Sequence, residues 1–223
     1  MKAITFSYDD GVIQDRRLVD LFNKYDLKAT FNVNSELFGK SGQLTIEGKP
    51  ICHDKIAPSE VATLYRGHEV AVHTLTHPHL TLLPDEEIVR QVEKDRINLS
   101  EMVGYEVIGM AYPGGGFQNS DRVERAIRAN TGVKYARTIS HSYSFRPQAN
   151  LFRFNPTVRQ LDFDICYKLA DEFFNNETEG IFYIWGHSYE FDINNTWDQL
   201  ERFLQYVSHR EGIVYATNKE LLL

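Results

Sequence analysis

Short, continuously apolar runs alternate along this chain with stretches whose apolar positions recur every three to four residues. Residues 3–6 (Ala-Ile-Thr-Phe), 29–33, 69–72, 107–111, 133–139, 181–185 and 212–215 read as strands. Their near-continuous apolarity is that of strands buried on both faces. Between them, residues 12–25 carry Leu18, Leu21, Phe22 and Tyr25 on one helical face. A short helix is expected from Pro58 and Ser59. Pro84-Asp85-Glu86-Glu87 opens another, with Ile88, Val92, Leu99 and Met102 as its stripe. Residues 120–131, 163–174 and 197–207 complete the set. Residues 34–57 hold several glycines, Pro50 and little periodicity, and read as a long irregular or functional insertion.

Repeated β-α units with such strands imply α/β architecture, a parallel sheet covered by helices. About seven units suffice for a closed or partly open barrel; a doubly wound open sheet is the alternative. No internal repeat or low-complexity linker interrupts the 223 residues, so residues 1–223 are expected to form a single domain.

Composition narrows the function classes. Hydrophobic residues are 42% of the chain and charged residues 25%, with a formal net charge of −7. That balance and the lack of a basic stripe argue against nucleic acid as a partner. No apolar run approaches the roughly 18 residues that span a bilayer, so no membrane association is expected. The apolar segment of an export signal is not evident either, and Cys52 and Cys166 make no disulfide framework; a cytoplasmic location is the expectation. Nothing in the pattern speaks to oligomeric state.

Three features carry chemistry, each where an expected strand ends, which is where parallel α/β folds build sites. Ser7-Tyr8-Asp9-Asp10-Gly11 puts two adjacent carboxylates at a buried strand's end. Their desolvation calls for a compensating cation. Gly11 permits a turn that lets both acids reach one pocket, although Asp9 or Asp10 would equally serve as a helix cap. His73 and His77 fall four apart, on one face of a short helical turn, a spacing suited to one metal ion. Two polar loop histidines remain the plainer alternative. His68 and His79 nearby read as bystanders. Finally, His187 follows the apolar run Ile184-Trp185-Gly186 and is a candidate acid or base. One aspartate with His73 and His77 makes a three-ligand set with an open position, leaving the other carboxylate and His187 as base and acid.

In order and placement these motifs resemble the polysaccharide deacetylase family, carbohydrate esterases with a NodB-type domain. The resemblance runs over nearly the whole chain and implies a distorted (β/α) barrel of about seven parallel strands. Ser7–Gly11 is similar to the first family motif, which implies Asp9 as base and Asp10 as metal ligand. His73-Thr74-Leu75-Thr76-His77 is similar to the second, the H-[ST]-x-x-H ligand pair. The third is usually Arg-x-Pro; here Ala111-Tyr112-Pro113-Gly114-Gly115 lacks the arginine that orients the base. Arg137, at the end of the next strand, is the candidate to supply that guanidinium. Surface or pocket-lining placement is the alternative.

The resemblance further implies a divalent metal, zinc first and cobalt, manganese or nickel as alternatives. Asp9 would take the proton of the attacking water, the Gly114 N–H would face the oxyanion, and His187 would protonate the leaving amine. The motifs do not place the acidic partner of that histidine; Asp162 and Asp164 are the candidates. The implied activity is removal of acetyl from an N-acetylated saccharide, a small molecule or oligosaccharide, with Tyr112, Pro113, Gly114 and Trp185 on the substrate side. Tyr189 is a further aromatic face. A hydrolase of cyclic ureides or imides on the same scaffold is the near alternative, and a non-catalytic sugar-binding module the distant one.

Overall fold

A computed structural model describes residues 1–46, 48–114, 119–176 and 178–223. The strands are β1 (Lys2–Asp9), β2 (Ala29–Val33), β3 (Gln43–Ile46), β4 (Lys49–Cys52), β5 (Glu69–Val72), β6 (Gly109–Ala111), β7 (Tyr135–Arg137), β8 (Val158–Arg159), β9 (Gly180–Gly186) and β10 (Ile213–Tyr215). The helices are α1 (Asp15–Lys24), α2 (Val61–Leu64), α3 (Asp85–Val103), α4 (Asp121–Asn130), α5 (Phe163–Asn175), α6 (Glu190–Ile193), α7 (Trp197–Val207) and α8 (Asn218–Leu222).

Seven strands follow the path β7-β6-β5-β2-β1-β9-β8, and every pairing on it is parallel. β1 is the central strand, buried from Ala3 to Asp9. One edge of it pairs with β9 along its length; the other is shared by β10 at Lys2–Ile4 and β2 at Phe6–Asp9. The sheet curls into a distorted barrel. Its two ends are joined by one stretch of chain: Phe154 bridges Arg137 of β7, and Val158 and Arg159, a few residues on, pair with β9. That closure excludes the doubly wound open sheet.

The helices form for the reasons their patterns give. In α1 the buried face is Leu18, Val19, Leu21 and Phe22. It stops where Asp26 turns left-handed (φ 53°) and the Leu27 and Asp26 N–H groups bond back to Phe22 and Asn23 carbonyls, the bonding pattern that terminates helices around a left-handed residue. α3 ends similarly at Gly104 (φ 75°). Its Pro84 opening is as the acids in its first turn suggest. Among the described residues, no helix is long and apolar enough to cross a membrane.

Residues 34–57 are irregular only in part. They contain an antiparallel hairpin, β3–β4, whose return segment is stitched to the turn after β1: Val12 bridges Lys55, Ile13 N–H donates to Asp54 O (2.9 Å), and Ile56 N–H to Gly11 O (3.0 Å). Val12, Ile51 and Tyr189, with Leu44, Ile46 and Ile193 beside them, form a small apolar cluster of their own.

A polar network lies inside the barrel. The Glu69 carboxylate, 2% exposed, accepts from Thr30 Oγ1 (2.9 Å), Lys219 N–H (2.9 Å) and Tyr135 Oη (2.8 Å). Gly109 of β6 makes room for that tyrosine: a Cβ there would meet Tyr135 Oη at 2.1 Å. Gly109→Ala is therefore expected to displace Tyr135, strip a donor from a buried carboxylate and cost about 1–3 kcal/mol. The check is the urea midpoint at unchanged m; an unchanged midpoint would mean the tyrosine relocates freely.

Candidate metal centre and catalytic groups

β1 ends on Asp9, whose backbone is still paired with Asn32 of β2. Regular alternation would send the next side chain to the other face of the sheet. Instead the chain turns at Asp10 itself (φ 84°), and Gly11 follows at φ 61°. A Cβ at Gly11 would meet Val33 Cγ1 at 2.9 Å, so glycine is required there twice over. Neither acid caps α1, whose N-cap is Gln14. Both line one cavity of about 420 Å3.

Asp9 is 2% exposed and faces Arg137, which is fully buried. The Arg137 Nη2 donates to both Asp9 oxygens, at 2.6 Å to Oδ1, and Asn32 Nδ2 donates to Oδ1 at 2.9 Å. Burial pushes the Asp9 carboxyl up, but the Arg137 guanidinium, then His73 and His187, more than offset it and hold it below the usual range. Arg137 reaches this point because it is the register partner of Ala111 on the neighbouring strand. The guanidinium thus approaches Asp9 from one strand beyond Ala111 in the same row, and lies over the Trp185 ring (4.5 Å to its centroid).

His73 and His77 do not share a helical turn. Residues 73–79 are non-helical, with Thr74 (φ 69°) and His77 (φ 59°) left-handed, and such positions cost about 1–3 kcal/mol each. Surrounding bonds hold them: Asn34 Nδ2 donates to the His73 and Thr74 carbonyls (2.6 and 2.9 Å), Asp95 accepts the His73 N–H (3.2 Å), and Thr74 Oγ1 accepts the His77 N–H (3.1 Å). The His73 Nδ1–H donates to Ala111 O (2.9 Å), which fixes the tautomer and leaves the Nε2 lone pair free. Burial drops His73 to about 4 and lowers His77, so both rings are neutral at pH 7.

Asp10 Oδ1 lies 3.9 Å from His73 Nε2 and 3.6 Å from His77 Nε2, and one ligand atom from each of the three falls within 4.8 Å of the others. These gaps are too long for hydrogen bonds and right for ligands sharing an ion at bond lengths of about 2 Å. Two neutral imidazoles and one carboxylate, with Asp10 held well below the usual range against the pull of burial by His53 and Lys55 foremost, fit a divalent ion with open positions.

His187 directs Nδ1 at Glu190 Oε1 (3.0 Å), while its Nε2 lies 4.0 Å from Asp10 Oδ2. Burial works against its protonated form, but Glu190 outweighs burial and raises it. Arg159 pairs with the same Glu190 oxygen. Glu190 is therefore the acidic partner, and Asp162 and Asp164 are not: both are exposed, and Asp162 instead caps α5 by accepting the Ile165 N–H (3.1 Å). The i+3 spacing from His187 in His-Ser-Tyr-Glu was the signal available. His53 and Lys55, which also line the cavity, come from the insertion and carried no strand-end signal.

Tyr112, Gly114 (φ 74°), Trp185 and Tyr189 are on the cavity wall. The Tyr112 hydroxyl is spent on Phe152 O (3.0 Å). Pro113 is buried and, among the described residues, not on the wall; Gly115 lies outside the described residues. His68 sits apart, packed against Phe22 and Phe31, and accepts the Ala29 N–H (3.2 Å).

A family model described as polysaccharide deacetylase matches residues 1–136. No curated protein matches the chain significantly. Among solved structures, the Xyl-CE4 domain of a multidomain xylanase from the hindgut metagenome of Trinervitermes trinervoides superposes with TM-score 0.63 at 18% identity, covering 99% of this chain and 89% of that one. A family 4 acetyl xylan esterase from Clostridium thermocellum, in complex with a cobalt ion, gives 0.62 at 15%, covering 99% and 90%. The peptidoglycan deacetylase PdaC from Bacillus subtilis gives 0.59 at 18%, with the same coverage of 99% and 90%. These likenesses bear on the fold.

The buried Asp9–Arg137 pair makes a stability prediction for metal-free protein. Because the folded Asp9 carboxyl lies below its unfolded value of about 4, the pair's stabilisation is complete above that pH and is lost as pH falls through the folded value. Arg137→Gln leaves a buried carboxylate unpaired and is expected to cost about 3–5 kcal/mol at pH 7. The deficit should shrink as pH falls: without Arg137, burial raises the Asp9 carboxyl, so the variant sheds the unpaired charge first, and wild type loses the pair as pH falls through its own folded value, below about 4. Denaturation in chelator at both pH values is the check; a pH-independent deficit would locate the loss in packing over Trp185.

Proposed function

The chain belongs to the polysaccharide deacetylase family, and from that premise we propose that it is a metal-dependent amide hydrolase that removes an acetyl group from an N-acetylated saccharide or a related small substrate. The observation that carries this reading is the parting of two adjacent carboxylates: Asp9 is clamped by Arg137, and Asp10 faces the Nε2 atoms of His73 and His77. Removal of acetyl is what the names of the peptidoglycan deacetylase and the acetyl xylan esterase share, and the cobalt complex of the latter supports a divalent ion.

Asp10, His73 and His77 would hold that ion, with zinc the first expectation for the donor set. When bound, it supplies Lewis-acid polarisation and a more acidic water. The protein's own groups do the rest. Asp9, ionised at neutral pH and fixed by Arg137 and Asn32, takes a proton from the attacking water. Gly114 lies on the cavity wall, and its N–H would donate to the oxygen that becomes negative as the carbonyl is attacked. His187 holds a proton because Glu190 raises its pKa, and delivers it from Nε2 to the departing nitrogen. Amide and water thus give acetate and a free amine. Trp185, Tyr112 and Tyr189 offer aromatic faces to a sugar ring, and a cavity of about 420 Å3 lies within the range of small-ligand sites.

The test is acetate release from N-acetylated mono- and oligosaccharides. Chelation should abolish it and added zinc or cobalt restore it. Asp9→Asn should lower kcat by roughly 10²–10⁴-fold with metal still bound. Undiminished turnover after chelation or in the Asn variant rejects the scheme.

A further inference from the structure

The turn that carries Asp10 is strained, and the segment returning from the β3–β4 hairpin holds it. Asp10 and Gly11 are both left-handed, at φ 84° and 61°. Lys55 Nζ donates to Asp10 O (2.7 Å), and Ile56 N–H donates to Gly11 O (3.0 Å). These bonds fix the backbone of the turn. They do not aim the carboxylate. His53, from the same segment, does: its Nε2 lies 3.2 Å from Asp10 Oδ2. An ionised carboxylate, the form that would ligate a metal, only accepts, so the imidazole donates. The ring is itself kept in place edge-on to Tyr189, 5.1 Å between centroids.

Asp10 thus has two differently committed oxygens. Oδ1 faces His73 and His77, and Oδ2 is bound to His53. We propose that His53 is a positioning residue of the metal centre, holding Oδ2 so that Oδ1 points between the two imidazoles. Residues 34–57 are then part of the centre rather than a surface insertion. His53 is not itself in the ligand group, which comprises Asp10, His73 and His77 among the described residues. A hydrogen bond to the far oxygen of a ligating carboxylate fixes its orientation, and losing such a partner typically weakens metal binding by roughly 10–100-fold. Lys55 makes the contribution more telling. Its ammonium, 9% exposed as a residue and 3.8 Å from Asp10 Oδ1, competes with a cation for that oxygen.

The inference rests on the reading of Asp10, His73 and His77 as metal ligands, and the experiment separates the two. Cobalt(II) affinity is measured by chelator competition, with the visible d–d spectrum at saturation, for wild type, His53→Ala and His53→Gln. Glutamine places an N–H near the imidazole Nε2 position. Expected are a roughly 10–100-fold loss in the Ala variant, recovery of most of it by Gln, one d–d spectrum for all three, and the same metal-free melting temperature. Wild-type affinity in His53→Ala overturns the inference alone. So does an altered d–d spectrum, which would make His53 a direct ligand, or a loss of metal-free stability that accounts for the weakened binding. Failure of wild type to bind cobalt overturns the metal reading as well.

Discussion

Two adjacent carboxylates buried at the end of one strand are the constraint around which this molecule is arranged. At 2% and 6% exposure, Asp9 and Asp10 have given up most of their hydration, and each needs positive charge brought to it from elsewhere in the chain. For Asp9 that charge comes from β7. Along the sheet, β2, β5 and β6 intervene between β1 and β7, which in a flat sheet is about 19 Å at ordinary strand spacing. No arginine spans that distance. The Arg137–Asp9 contact therefore exists only because the sheet curls, and it acts as a strut across the barrel interior. For Asp10 the charge comes from Lys55 of the insertion, and His53 of the same segment adds a hydrogen bond.

The strands and helices were legible because their apolar pattern is set by burial on two faces of a parallel sheet, and that pattern survives without knowledge of partners. Residues 29–33 and 69–72 match the observed strands β2 and β5. β8 was not legible: two residues, Val158 and Arg159, carry no period, and their pairing is imposed by the chain passing from β7 to β9. The hairpin in residues 34–57 was hidden for a related reason. Its exposure alternates weakly along four-residue strands, and it packs against a small separate cluster rather than the main core.

Legibility in the site follows the same division. The strand-end residues could be located from sequence because a strand end is a local property. Arg137 was a candidate on that basis, but what brings it to Asp9 is its lateral register with Ala111 and the curl of the sheet, neither of which one sequence displays. Glu190 was passed over for Asp162 and Asp164. Those two belong to the start of α5, where Asp162 is a cap, whereas Glu190 lies one turn beyond His187 and shares its carboxylate with Arg159. Nearness in the chain was the better guide there.

Regular secondary structure alone cannot assemble this arrangement. Neighbouring residues on a strand face opposite sides, so Asp9 and Asp10 converge only if the chain leaves strand geometry between them. A pair at i and i+4 meets on a helix, but residues 73–79, directly after β5, are not helical. The chain meets both requirements with left-handed residues, at Asp10, Thr74 and His77, secured in turn by Lys55 Nζ on Asp10 O, Asn34 Nδ2 on Thr74 O and Thr74 Oγ1 accepting the His77 N–H. The same logic separates the histidines. His73, fully buried and bonded to a carbonyl, is lowered to about 4, stays neutral and keeps a lone pair to offer. His187, less deeply sunk and set against Glu190, is raised instead and keeps a proton. One residue type thus yields a ring with a free lone pair and a ring that keeps a proton, and the difference lies in whether its Nδ1 meets a carbonyl or a carboxylate.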